Sequence, residues 1–402
     1  MDSLRQGMRR LVCESHILHS LSVGFGSGDT AFFAYEQADE TALYDLASLT
    51  KLFTLIALMK LNEAGRIDFG APLRHYDKRF THIGHLPLHD IMAYRSAIVS
   101  SSRIDEAPNR DEALKLLFAS RSVAHTSRRF YSDMHAMVLK YAVEGASGMP
   151  FHAFLHQTVF RPAGMKRTYA GIPCRELHTV QSYDREHRIT NHRYILRSCA
   201  PGTPHDPKAA LLSSADDLCG HAGLFSSLHD MTLLCQAMLS GALLSPASLR
   251  SAAQNRTGKE ISPGVYTQHL GYLCFVKHPH QFDSETPEYM TASAFGLSGF
   301  TGNHISLDPQ LGVYHIFLGN RCLDRLTVLV PDTPEALAYY GLRPDGSGEC
   351  RWSDGRTVTS SVGYVHQKDR LLHRPILEEL QRAGILKENA EGRIYRARGE
   401  VM

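Results

Sequence analysis

Between Leu49 and Leu61 the chain places Leu49, Leu52, Phe53, Leu55, Ile56, Leu58, Met59 and Leu61, and Gly65 follows as a stop signal. At the helical period these residues cover almost the whole circumference, so the segment reads as a helix that belongs inside a large core with other elements on every side. Lys51 stands within that run. Burying its ammonium costs free energy unless it gains a partner or gives up its proton. Ser48 lies three residues earlier, and i and i+3 share a helix face, so the S-x-x-K tetrad Ser48-Leu49-Thr50-Lys51 sets an amine beside a hydroxyl. That is one way to activate a serine nucleophile. The plainer alternative is a capping serine with a lysine snorkelling from the first turn, and spacing alone does not separate the two.

Composition narrows the classes. With 402 residues, 43% hydrophobic and 21% charged, the chain is long enough for two or three structural units around a substantial core. A net charge of +2, from 43 basic and 41 acidic residues, gives no electrostatic case for nucleic acid or an anionic membrane, and small molecules are the expected partners. Met1 to Ser20 reads as amphipathic rather than as a secretory leader, and no stretch is long and apolar enough to span a bilayer, so a cytoplasmic location is expected. The eight cysteines show no C-x-x-C pair, which points to reduced thiols. Among the 23 histidines His278-Pro279-His280 is the closest pair, but it lacks partners at ligand spacing. Neither a metal nor a cofactor is predicted.

The pattern predicts an N-terminal helix over Leu4 to Leu18 and a hairpin of Leu21 to Phe25 and Thr30 to Tyr35 around Gly26-Ser27-Gly28-Asp29. Helices follow at Asp111 to Ala119, Met134 to Glu144 and Phe151 to Phe160, then an irregular stretch marked by Pro201, Pro204 and Pro207. Ser226 or Ser227 is set to cap a helix running to Leu239. Strands are expected at Tyr289 to Ala294, Asn303 to Leu307 and Val313 to Leu318, and a last helix at Pro375 to Ala383. The fold class is therefore α/β: an antiparallel sheet built from both chain ends and flanked by helices, with an inserted helical subdomain. Residues 1–65 and 220–386 would form the sheet domain, 66–219 the insertion, and 387–402 a flexible tail. Arg343 to Arg356, within the 324–370 region, reads as a surface insertion.

Tyr131-Ser132-Asp133, just before the Met134 helix, supplies the second proton-handling group that a serine and lysine need. With it the chain resembles the class C β-lactamase, penicillin-binding protein and type VIII esterase superfamily. That family carries S-x-x-K, then Y-x-N or a variant, then H-T-G or K-T-G on a strand. Arg161-Pro162-Ala163-Gly164-Met165 and Gly220-His221-Ala222-Gly223-Leu224-Phe225-Ser226 are also similar, and the resemblance covers roughly residues 5–322. It implies Ser48 as acylated nucleophile, with Lys51 and Tyr131 sharing the acid and base work. A Lys51 cation favouring a Tyr131 phenolate would supply the tuning. Asp133 would orient Lys51 or a substrate amide, and the backbone N–H groups of Ser48 and Phe300 would form the oxyanion hole.

Leu297-Ser298-Gly299 departs from the third motif by losing its cation, with Ser298 and Gly299 retained beside the substrate. Ile91 to Ile98 departs as well. His221 reads as pocket wall or structural histidine, and Arg321 as a surface residue or as a positive charge that compensates for Leu297. The expected function is hydrolysis of small esters or amides through a Ser48 acyl-enzyme. The alternatives are a D-amino-acid-specific peptidase, an acyltransferase or a catalytically degenerate binding protein on the same scaffold.

Overall fold

The structure is a computed structural model, and it describes residues 1–181, 183–280, 284–352 and 354–397. Its centre is an antiparallel sheet of six strands: β1 (Ser20–Ser27), β2 (Ala31–Glu36), β3 (Phe275–Val276), β4 (Phe295–Ser298), β5 (His304–Asp308) and β6 (Val313–Asn320). Their spatial order is β3-β4-β5-β6-β1-β2, so strands from the two ends of the chain meet where β1 pairs with β6. The helices that matter here are α1 (Asp2–Arg9), α2 (Thr50–Glu63), α3 (Asp133–Ser147), α4 (Pro207–Leu212), α5 (Leu228–Leu239) and α6 (Arg374–Arg382).

Period-two alternation decides what each face of the sheet buries. Leu21, Val23 and Phe25 join Phe317 of β6 and Leu4, Met8, Leu372 and Ile376 from the two terminal helical segments. On the opposite face Gly24 has no side chain, and a Cβ there would come within 3.0 Å of Leu228, so the glycine lets α5 lie close. That face carries Tyr314, Ile316 and Leu318 into a larger core that includes α2 and α3. As its all-round pattern requires, α2 is buried along nearly its full length and packs on α3. The predicted fold class is what the molecule has.

Three expectations need correction. Tyr289 to Ala294 is not a strand, because the Asp308 carboxylate takes the Thr291 N–H at 2.6 Å and its hydroxyl at 3.1 Å, which turns the chain and delays β4 to Phe295. Arg343 to Arg356 contains a strand of a second, five-stranded sheet, ordered Ser347–Arg351, Thr357–Ser361, Leu326–Val330, Glu186–Thr190, Arg193–Arg197. Ile189, Leu326, Leu329, Cys350 and Val358 give that sheet its own core, so Cys350 anchors a stretch whose other described side chains are mostly on the surface. Residues 386–396 form a hairpin of Leu386–Glu388 and Ile394–Arg396 next to α6 rather than a loose tail. Residues 398–402 lie outside the described residues.

All eight cysteines are free thiols. Among the described residues no helix is long and apolar enough to cross a membrane.

Candidate active site

The chain enters α2 through a 3-10 turn, Ala47–Leu49. Ala47 sits at φ 46°, a left-handed conformation that residues with a Cβ rarely adopt, and the Asp45 carboxylate holds it by accepting the Ala47 N–H at 2.8 Å. Leu49, not Ser48, is the N-cap residue of α2, and it offers no side-chain cap. The Ser48 hydroxyl instead accepts a hydrogen bond from Lys51 Nζ at 2.8 Å. The capping alternative therefore gives way to the paired one.

Lys51 is fully buried and its ammonium is well supplied. It donates to Asp133 Oδ1 at 2.7 Å and to the His221 carbonyl at 3.5 Å, and it lies over the Tyr131 ring. Burial opposes its charge, but Asp133 and then Tyr131 overcome that, and its pKa ends above the ordinary lysine value. Asp133 opens α3 while Ser132 caps it, accepting the Met134 N–H at 3.3 Å, which leaves the Asp133 carboxylate to meet Lys51 Nζ. Burial would raise the Asp133 pKa, yet Lys51, His221 and Lys208 hold it well below the usual carboxylate range.

Tyr131 reaches the same place from the loop before α3. The Gln268 side chain fixes that loop by accepting the Phe130 and Tyr131 N–H groups at 2.7 and 2.9 Å. Its ring packs against Phe275 and Tyr94. Burial raises the phenol pKa more than Lys51 lowers it, so the resting state is a phenol. Desolvation outweighs the neighbouring cation, which works against the expected phenolate.

His221 is completely buried, in a segment laid along the start of α2. Thr54 Oγ1 donates to the Gly220 carbonyl at 2.6 Å, and the Leu46 N–H donates to the Leu224 carbonyl at 2.8 Å. The segment continues into a short strand, Phe225–Ser227, and Ser227 caps α5. His221 Nε2 meets Asp206 Oδ1 at 2.9 Å. Burial lowers its pKa, but the Asp206 carboxylate outweighs this and lifts it to about 10, which makes His221 a cation.

Sequence reasoning missed Asp206 and Lys208. Asp206 caps α4, accepting the Ala209 N–H at 2.9 Å, and Lys208 Nζ stands 3.0 Å from Asp133 Oδ2 and 3.3 Å from Asp206 Oδ2. Lys51, Asp133, Lys208, Asp206 and His221 thus alternate in sign around a ring that closes through the His221 carbonyl. Only the proline-broken stretch and the Asp-Pro N-cap signal pointed toward α4.

The third motif borders the nucleophile through its glycine. A Cβ at Gly299 would fall 2.7 Å from the Leu46 carbonyl, so only glycine lets the end of β4 lie against the Ser48 turn. Asp45 ties the two together, its carbonyl accepting from Thr301 Oγ1 at 2.8 Å and Asn303 Nδ2 at 2.5 Å. Leu297 is buried in the core that holds α2. The Ser298 hydroxyl donates to Glu285 at 2.5 Å and meets His304 Nδ1 at 3.0 Å, which commits it away from Ser48. Phe300 is 38% exposed, stacked on the His205 ring, with the Arg188 and Arg321 guanidinium groups 5.2 and 5.0 Å from its centroid. Arg321 is accordingly buried rather than a surface residue, donating to the Thr327 carbonyl at 2.7 Å. Behind this loop the Tyr364 hydroxyl donates to the Gly302 carbonyl at 2.8 Å.

Among the described residues two groups offer donor atoms close enough for a metal ion, Glu186 with His205 and Cys322, and Asp133 with Asp206 and His221. In both, the carboxylates are already engaged, with Arg188 and the His205 ring in the first and with Lys51 and Lys208 in the second. The arrangement is suited to proton transfer at Ser48: a hydroxyl, an amine and a phenol in a partly buried site, next to a glycine strand end that backbone can approach.

Known proteins are similar over most of this length. The family description Beta-lactamase matches residues 20–324, beyond which lie the strands from Leu326 onward. A provisionally named D-alanyl-D-alanine carboxypeptidase of Salmonella gallinarum is 27% identical, with 77% of each chain covered. A penicillin-binding protein homolog from Caulobacter crescentus shares the fold with a TM-score of 0.63 at 16% identity, over 79% of this chain and 91% of that one. EstCE1, a hydrolase with promiscuous acyltransferase activity, does so with a TM-score of 0.63 at 13% identity, over 92% and 98%. With the match to the family description spanning most of the chain, the protein belongs to the Beta-lactamase family of serine hydrolases.

Proposed function

We propose that this hydrolase forms an acyl-enzyme on Ser48 and passes the acyl group to water, with small esters and amides as substrates. The observation that carries the reading is Lys51 Nζ, within hydrogen-bond distance of both Ser48 Oγ and Asp133 Oδ1. Once the Lys51 and Tyr131 pair has lost one proton, it accepts the Ser48 proton as Oγ bonds to the substrate carbonyl carbon. The tetrahedral oxyanion faces the Ser48 and Phe300 N–H groups. Collapse breaks the bond to the leaving group, which takes the proton, and water repeats the sequence to free the acid. No metal enters these steps. Eight free thiols support a reducing, cytoplasmic setting.

A second reading, cleavage of a peptide before a terminal D-amino acid, is favoured by the partly exposed Arg188, shared with Glu186, which sets positive charge beside Phe300. The relative named as a D-alanyl-D-alanine carboxypeptidase supports it too. The test offers short p-nitrophenyl esters and D-alanyl-D-alanine peptides to wild type and Ser48→Ala, with mass spectrometry of the Ser48 peptide. An acyl adduct and turnover that both vanish in Ser48→Ala are expected. Equal turnover by the two proteins overturns the proposal, and the preferred substrate decides between the readings.

A further inference from the structure

Lys208 touches neither Ser48 nor Lys51, yet it occupies the other oxygen of the carboxylate that Lys51 uses. Asp133 Oδ1 faces Lys51 Nζ at 2.7 Å and Oδ2 faces Lys208 Nζ at 3.0 Å. We propose that Lys208 is a positioning residue of this active site: by sharing Asp133 it holds that carboxylate between two ammonium groups and leaves Lys51 able to yield its proton. The inference rests on the acyl-enzyme reading above.

Without Lys208, Asp133 would keep only Lys51 in direct contact, with the His221 cation farther off, and a lysine paired with a less shared carboxylate keeps its proton more firmly. The direct repulsion between the two ammonium groups would vanish as well, which acts in the same direction. Lys208 is itself fixed from behind. Asp206 Oδ2 lies 3.3 Å from its Nζ, and Asp206 Oδ1 is held by the His221 imidazolium and by the Ala209 N–H of α4. Asp105, on the turn Ile104–Glu106, also acts on Lys208.

The charged and titratable groups around Lys51 are Asp133 and His135 of α3, Tyr131 from the preceding loop and Tyr94 beyond it, with His221 alongside and the Ser48 hydroxyl on its own segment. Asp133 is the anion in direct contact with Lys51, and Asp206, the second carboxylate of the ring, lies behind Lys208 and His221. How Asp133 is divided therefore bears most directly on the proton affinity of the pair. A Tyr131 base gives the same sign, since losing a nearby cation also disfavours a phenolate.

The test compares Lys208→Met, Lys208→Gln and Lys208→Arg with wild type. The acidic limb of kcat/KM against pH is expected to move up by about one pH unit in the Met and Gln variants and to stay in place in the Arg variant. In protein carrying 13C-labelled lysine, the Lys51 Cε resonance, assigned by its loss in Lys51→Arg, is expected to titrate higher by a similar amount. A limb and a Lys51 titration that stay put in Lys208→Met overturn the proposal, whether or not the rate falls. If wild type forms no Ser48 adduct while the Lys51 titration still moves, the acyl-enzyme reading fails and the sharing of Asp133 stands.

Discussion

The Lys51 ammonium lies over the face of the Tyr131 ring, 4.8 Å from its centroid, while its hydrogen bonds go to Ser48 and Asp133. The Tyr131 hydroxyl lies buried beside them, with Lys51 and Ser48 as its polar neighbours. Such a group is held for turnover and not for stability. Tyr131→Phe is expected to leave the thermal midpoint unchanged or slightly raised and to lower kcat/KM about 10²- to 10⁴-fold. Calorimetry alongside ester kinetics checks this, and a less stable variant with full activity would contradict it.

The rate should climb toward alkaline pH. Burial raises the Tyr131 pKa, and Asp133 carries the Lys51 pKa above its ordinary value despite burial, so both sites hold their protons at neutrality. The base form of the pair fills only as pH rises. A profile of kcat/KM on one p-nitrophenyl ester is expected to increase through pH 8, and a plateau reached below pH 6 would rule out this pair as the base.

Leu297 can be asked directly whether it is a lost substrate contact. It is 1% exposed and pairs with Ile305 inside the core that holds α2. Leu297→Lys is expected to destabilise the protein by about 3 kcal/mol or more, by burying a charge without a partner, and to bring no new β-lactam turnover. Chemical denaturation and a β-lactam hydrolysis assay report the two halves. Intact stability with new activity would return this position to the substrate site.

Acid should unfold the protein, and the sign can be followed group by group. Burial works against Glu186 and Glu285, but their partners, His205 for one and His304 for the other, bring both pKa values down to about 2. Their contribution is complete above the ordinary glutamate value and is lost as pH falls toward 2. His315 is lowered to about 3 by burial, so below about pH 6.5 the unfolded chain binds a proton that the folded one refuses, and stability falls again. Asp45, raised to about 6 by burial, acts the other way between about pH 6 and 4. Of these four, His315 and Asp45 oppose each other between about pH 6 and 4, and the two glutamates join His315 below about pH 4.5, so the midpoint is predicted to fall mainly below pH 4.5, each group adding up to about 1.4 kcal/mol per pH unit. Thermal melts across that range test it, and His315→Phe should make the slope shallower.

Local pattern made α2, the S-x-x-K pair, the first hairpin and the loop position of Tyr131 readable, because each rests on periodicity or on a few adjacent residues. What escaped depends on contacts between distant parts of the chain. Lys208 reaches Asp133 from a proline-interrupted stretch whose path no period encodes, and Asp45 receives the His205 N–H at 2.7 Å from the same stretch. Arg321 looked like a surface residue because nothing beside it in sequence announces Phe300 or Thr327. Tyr289 to Ala294 misled for a different reason. Its apolar content fits a strand, but one carboxylate on a neighbouring strand, Asp308, turns it.

The hydrogen bond from Tyr364 to the Gly302 carbonyl gives the site two unequal walls. The nucleophile's wall is locked in by the largest core of the molecule, whereas the Gly299–Gly302 wall leans in addition on the segment that carries Tyr364. Drift at Tyr364 and its neighbours can therefore reshape which molecules fit while the chemistry stays put, and variation in selectivity among close relatives should collect there.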